Sequence, residues 1–480
     1  MGSVALLRSP LVIGLVVALA ACGKVEGGDV DADVDPPDDA MVDAPDAMPI
    51  TNCIPNQFVD CENGNARICN GTGDGVTIQS CGGNGCNATA RRCNMCQPGL
   101  STCDGAVLES CDAEGLPLAD ETCQLSCVAA PTAHCAYLSP RYLPDICDAA
   151  AAMPSLTINA SATIDTALDT NCTGTVVPQT GGPPICVLRY GTINVMSGRT
   201  LTLTGSRVAA LVSDGDLTVA GIIDASANGL THGPGGGTLT SGALSNSTTG
   251  AGGAGYATAG GAGGNQTVAG GAANGGAAFD PLSGTVMVGG ARGARPTIGL
   301  GVSGGGGGGA LLLVSCRGNV VVSGTLDLGG GGANPGFDQI IGAQLSLIGG
   351  GGGGTGGYGV IQGLGVQVTG SVFANGGGGG GGGASDTSGT VGGDGPRSAS
   401  SASGGNGAVV GGSSGGSGGI GGRQGGGPGV GNPPVSQGSP GGGGGAMGRF
   451  QSYTPTGVTP TLTPASSSPN FQPNMNVTTR

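Results

Sequence analysis

The chain contains no tryptophan, and aromatic residues make up only 2% of its 480 positions. Any core must therefore be aliphatic, and a sugar platform built from exposed rings lacks its material. Lysine occurs once, at Lys24, histidine twice, and glutamate is absent after Glu121. Charged residues reach only 10%, with a net charge of −14, so there is no basic footprint for nucleic acid. Beyond the N-terminus no apolar run is long enough to span a bilayer. What is abundant is glycine, at 109 residues, together with Val, Ile, Leu, Ala and 17 cysteines.

The most regular stretch is 308–333, where Leu312 and Val314 alternate, a polar corner at Arg317–Asn319 follows, and Val320, Val322 and Leu326 then share one face of extended chain. Gly324 lies between the last two. Leu217, Val219, Gly221 and Ile223 repeat this grammar, as do Val366, Val368, Gly370 and Val372. Ile193, Val195, Leu201, Leu203 and Gly205 give a shorter version. Val286, Val288 and Gly290 are a weaker match, as are Leu345, Leu347 and Gly349. Repeated short strands with glycine corners indicate a solenoid, each turn burying its face against its neighbours. The reading is an all-β chain, a glycine-rich parallel β-helix preceded by small disulfide-rich modules. Val219, Val322 and Val368 should form one interior column, and Ile223, Leu326 and Val372 another. The 46 residues from Gly324 to Gly370 are expected to cover about two turns.

Cysteines carry a second repeat. Cys61, Cys69, Cys81, Cys86 and Cys93 match Cys103, Cys111, Cys123, Cys127 and Cys135, with Cys53 and Cys96 leading the two copies. Each copy is too short to build a core, so cross-links must replace one. Six cysteines allow 15 pairings, among which sequence does not choose. Pairing is expected within each copy. The one C-x-x-C, Cys93 to Cys96, straddles the boundary between copies, which argues against zinc. Cys172 and Cys186 flank a Pro/Gly loop that they could close; Cys147 and Cys316 either pair or leave Cys316 as a buried thiol.

The N-terminus reads as a targeting segment: Arg8, an apolar run from Leu11, then Leu19-Ala20-Ala21-Cys22-Gly23. This resembles the lipobox of bacterial lipoproteins. The resemblance implies cleavage before Cys22, lipidation of that residue and, since Gly23 is not Asp, sorting to the outer membrane. The two modules resemble short cysteine-rich repeats of secreted myxobacterial proteins. The β-region, with its closing GGGGGAMGRF, looks like glycine-rich parallel β-helix proteins of myxobacterial surfaces. The expected organisation is a signal peptide at 1–21, an acidic Asp/Pro/Ala tether at 22–50, modules at 51–95 and 96–147, a solenoid at 148–460 and a Pro/Ser/Thr tail at 461–480. In the tether, Asp29, Asp31 and Asp33 mimic a calcium loop, but Val34 and Ala40 stand where Gly and Glu are needed.

The glycine tracts admit three readings: mobile loops, preferred because glycine loses most entropy on ordering; chain packed closely on the solenoid; or bundled extended polyglycine helices. The tail is expected to be irregular and to lie over the last turn.

Chemistry is sparse. Ser303 and Ser413 sit in G-x-S-x-G patterns, which arise by chance in such glycine-rich sequence and have no following helix. Asp224 and Asp327 hold equivalent places in two turns and could pair, with Arg292, Arg295 and Arg317 near in sequence and Phe373 at the third such place. Corner capping by these aspartates is the preferred alternative to catalysis. The expected role is a lipid-anchored surface protein of structural or adhesive type, not an enzyme. No cofactor or metal is expected. Partners are the membrane, through the anchor, and extracellular polysaccharide or other surface proteins, but not nucleic acid. The alternative is a polysaccharide lyase or hydrolase on the same scaffold.

Overall fold

The computed structural model describes residues 53–148, 154–239, 242, 244, 249–266, 273–281, 285–296, 302–341, 344–435 and 437–480. Cys22, the signal segment and the tether lie outside them. The described residues fall into two compact units: 53–60 with 67–79, and those from 61–66 and from 80 onward. The first holds the Cys53–Cys69 disulfide and the Arg67–Asp60 ion pair.

The second unit is dominated by a three-sided parallel β-helix. One sheet stacks Ile185–Tyr190, Val208–Ser213, Ala310–Ser315, Tyr358–Gln362 and Arg449–Pro455. A second stacks six strands from Leu156–Ile158 to Thr461–Leu462, and a third six from Ala162–Asp165 to Ser466–Ser468. Register follows the expected columns. Val219 faces Val322, which faces Val368; Ile223 faces Leu326, which faces Val372. All nine expected core positions lie in one buried cluster. Each aliphatic side chain gains about 1.5–3 kcal/mol only when covered, and the turns above and below supply the cover.

The first sheet is buried on both faces, which explains runs such as ALLLVS. Leu311 and Leu313 point into the helix interior, whereas Leu312 and Val314 point outward into a second cluster. That outer cluster is closed by Tyr137, Leu138, Leu143 and Cys147 from the segment after the second module. Cys147 is bonded to Cys316 and Cys172 to Cys186, resolving the first of these in favour of a disulfide. Both modules share one connectivity: Cys61–Cys86 and Cys81–Cys93 match Cys103–Cys127 and Cys123–Cys135, as Cys53–Cys69 matches Cys96–Cys111.

Three expectations need correction. Gly324 and Gly370 belong to successive turns, because Val322 and Val368 are direct partners, so 46 residues make one turn and not two. An uninterrupted turn is shorter, 23 residues from Leu188 to its partner Leu211. The surplus leaves the solenoid at a single corner, between the third sheet and the first. Second, Val286–Gly290 is not a strand of the helix, and Gln344–Ile348 forms an antiparallel hairpin with Phe337–Ile341 outside it. Third, the tail is not irregular: Thr461–Leu462 and Ser466–Ser468 complete the last turn, and Met475–Thr479 adds a further strand to the first sheet.

The described glycine tracts are ordered, and the third reading holds. Segments 328–336 and 374–383 run out from the third sheet; 303–309, 349–357 and 439–448 run back into the first. Their backbone bonds repeat every third residue. In 439–448, Gly441 and Gly444 donate to Asn432 and Gly429, Gly442 and Gly445 to Gly380 and Gly377, and Gly443 and Ala446 to Ala251 and Ala254, at 2.9–3.0 Å. Its carbonyls accept from three other segments in the same rhythm, from Gly419 and Gly422, from Gly353 and Gly356, and from Gly261 and Gly264. A helix with three residues per turn points successive peptide groups in three directions, so each inner helix bonds to six neighbours. Helices 349–357 and 374–383 are surrounded in the same way.

Glycine is required here by space. These glycines do not adopt positive φ. A Cβ on Gly445 would overlap the carbonyl oxygen of Gly354, and one on Gly377 that of Gly331. Gly427, on an outer segment, has nothing within 4 Å of such a Cβ. Gly445→Ala should therefore destabilise the unit by about 1–3 kcal/mol, as overpacking does, while Gly427→Ala should be within ~0.5 kcal/mol of neutral. Urea unfolding would check both, and equal effects would refute the bundle. Within the solenoid, Val322→Asp should unfold the unit at much lower urea than Ser323→Asp, because Val322 is buried and Ser323 exposed.

Candidate functional site

The third sheet places Asp224 directly beside Asp327, with Thr202 before them in the column and Phe373 after. Both aspartates end their strands where the chain turns out toward the glycine layer. Asp224 Oδ1 accepts hydrogen bonds from Ser226 N (3.1 Å) and Ser226 Oγ (2.6 Å), and Asp327 Oδ1 accepts one from Gly329 N (3.0 Å). Each therefore caps its own corner through backbone N–H groups two residues ahead.

The second oxygen of each carboxylate faces one guanidinium. Arg397 donates from Nη2 to Asp224 Oδ2 and from Nε to Asp327 Oδ2. Asp327 is 3% exposed. Burial pushes its carboxyl up, and Arg397 opposes that shift. Burial also works against the charge on Arg397, but Asp327 and Asp224 outweigh it and its pKa moves upward. The arginine comes from the segment after Asp394, itself a tie: Asp394 accepts from the N–H groups of Gly229 and Gly332.

These groups line a cleft of about 620 Å³ with Thr204, Asn228, Thr231 and His232. His232 Nδ1 accepts from Gly307 N (2.9 Å), which places the ring hydrogen on Nε2. Burial, then Arg292, push its pKa down and keep it neutral. A glycosidase pair needs room between its carboxylates for sugar or water; here Arg397 fills that room. The arrangement binds three chain segments together and leaves hydroxyls, an amide and an imidazole facing the cleft.

The arginines expected near the pair are elsewhere. Arg292 and Arg295 line a separate hollow with Gly237 and Leu239, and Arg317 stacks over the Tyr137 ring at 5.3 Å. Arg397 is the residue that sequence reading missed. It lies 70 positions from Asp327, in a Gly/Ser tract, and its only signal is being a lone cation there. Among the described residues no group of three or more His, Cys, Asp or Glu is arranged to hold a metal ion.

A second carboxylate stands apart. Asp338, in the hairpin strand Phe337–Ile341, is 2% exposed, and no donor meets its oxygens in full hydrogen-bond geometry, although the Ser439 hydroxyl and the Ser385 N–H lie near enough to act on its charge. Burial pushes its pKa up to about 6; the Ser439 hydroxyl opposes this and the Asp386 charge adds to it. A carboxyl raised in the folded state favours folding when protonated. Its contribution is full below the ordinary value of 3.8 and is lost as pH rises through about 6. Asp338→Asn should thus be more stable than wild type at pH 7 by urea unfolding, with the difference shrinking toward pH 4. A difference independent of pH would mean that Asp338 does not titrate in this range.

Comparison with known proteins returned no matching family model, no matching curated protein and no matching solved structure, so the reading of this site rests on its own geometry.

Proposed function

We propose that the chain is a bacterial surface lipoprotein of structural or adhesive type, anchored through Cys22 and displayed from the outer membrane. The acidic tether would space the folded units from the bilayer, since like charges and proline keep such a segment extended. Extracellular polysaccharide or other surface proteins are the partners this reading implies. The observation that carries it is the fate of the charged groups in the polar cleft beside Asp224 and Asp327. Asp224, Asp327, Arg397 and Asp394 are engaged with one another or with backbone, which suits a wall that must hold its shape. The competing reading, a polysaccharide lyase or hydrolase, would need at least one of these carboxylates released toward substrate.

Two measurements test the proposal. Cys22→Ser, expressed in a lipoprotein-processing bacterial host, should move the protein from the membrane fraction to the soluble fraction, because among the described residues no helix is long and apolar enough to cross a membrane. Retention in the membrane fraction would remove the anchor. The purified chain, incubated with neutral and uronate polysaccharides, should release no new reducing ends or unsaturated products. Release that is lost in Asp327→Asn would replace the structural role with the enzymatic one.

A further inference from the structure

The two cysteine modules keep one disulfide topology but differ in surface charge. Residues 53–93 carry three acids and three arginines. Residues 94–140 carry Asp104, Glu109, Asp112, Glu114, Asp120 and Glu121, with no lysine or arginine. Identical cross-linking shows that the fold did not require this change, so the charge is a property of the surface.

The second module also exposes apolar side chains around a hollow. Ser101–Asp104 and Val107–Ser110 pair antiparallel, which sets Thr102 opposite Glu109 on one face. Beside that pair a pocket of about 300 Å³ is lined by Met95, Leu100 and Pro117, with Cys96 and Cys111, themselves disulfide-bonded, in its wall. Met95 is 66% exposed and Leu100 45%. Glu109 and Asp120 stand on the rim, exposed and, among the described residues, without an ion pair. A disulfide-fixed wall pre-organises the hollow, so little ordering is needed when it is filled.

We infer that this pocket binds a cationic peptide segment, with one aliphatic or aromatic side chain in the hollow and flanking Lys or Arg side chains against Glu109 and Asp120. The charge selects the occupant. An acidic or neutral segment would add nothing to a rim of carboxylates, and residues 94–140 offer no lysine or arginine to an anionic ligand. Burying Leu or Phe between Met95, Leu100 and Pro117 supplies the affinity, while the rim charges set orientation and rate of encounter. The inference does not depend on lipid anchoring and stands or falls separately from the surface role.

The test uses the full-length chain and a fluorescent nonapeptide, Gly-Lys-Leu-Lys-Gly-Arg-Leu-Lys-Gly, followed by anisotropy. Binding should be saturable, weaken with added salt, and fall about tenfold or more for the peptide with both Leu replaced by Ala and for the Glu109→Gln/Asp120→Asn protein. Both rim residues are exposed, so the double variant should fold with its disulfides intact, which non-reducing mass mapping verifies. Unchanged binding by that variant would overturn the inference, as would equal binding of a peptide with Glu in place of each Lys and Arg. A concentration-dependent dimer of the chain alone, abolished by Leu100→Asp, would overturn it as well by showing that a second copy fills the pocket.

Discussion

The structure depends on hydrogen bonding between backbones that approach without side chains. A buried peptide group must find a partner, and glycine-rich chain has nothing but peptide groups to bury. A sheet satisfies such groups in two directions. The three-residue helix satisfies them in three, so a packed bundle pairs its inner N–H and C=O groups with six surrounding chains. The missing Cβ makes this possible, since the distance that brings N–H to carbonyl also brings the neighbouring Cα to the place a Cβ would occupy. Ordering glycine costs more entropy than ordering any other residue, and the density of backbone bonds offsets it.

The solenoid supplies what the bundle lacks, a fixed starting register. Ala225 donates to Asp327, Leu328 to Phe373 and Ala374 to Ser468, so the outgoing chains inherit the stacking of the strands they leave. The first sheet, buried on both faces, then receives the returning chains. Three surfaces tie these layers together: the aliphatic interior, the aromatic and aliphatic cover over the first sheet, and the Asp224–Arg397–Asp327 clamp on the third. Asp327 is buried enough that its charge without Arg397 would be costly, and the clamp joins two turns of the solenoid to a segment of the glycine layer.

Much of this was legible. Columns such as Val219–Val322–Val368 follow from period-two alternation, and the six-cysteine duplication foretold pairing within each copy, although not which pairing. The turn length was misread because insertions at one corner leave the stacking untouched, and closing a longer loop adds little entropic cost. The glycine tracts were misread because entropy was counted and backbone bonding was not. A finer signal was present. Inner helices such as 349–357 are glycine at nearly every position, whereas the outer segment 402–409 exposes Ser403, Asn406 and Val409 and buries Ala402, Gly405 and Ala408. The number of small residues per triplet therefore reports how many sides of a helix are covered. Arg397 had no such signal, since its partners were fixed only by the path of the bundle.

The bundle also has an unusual relation to sequence change. At an inner position glycine is already the smallest residue, so each substitution adds atoms where none fit, and conservative replacement does not exist. Length is freer than composition. Three extra residues add one turn and return every peptide group to its former direction, whereas one or two rotate the rest of the helix away from its neighbours. An outgoing helix and its returning partner would have to lengthen together, in whole turns. Such a layer grows as a crystal does, by complete repeats, and its drift would be written in triplets of residues instead of single replacements.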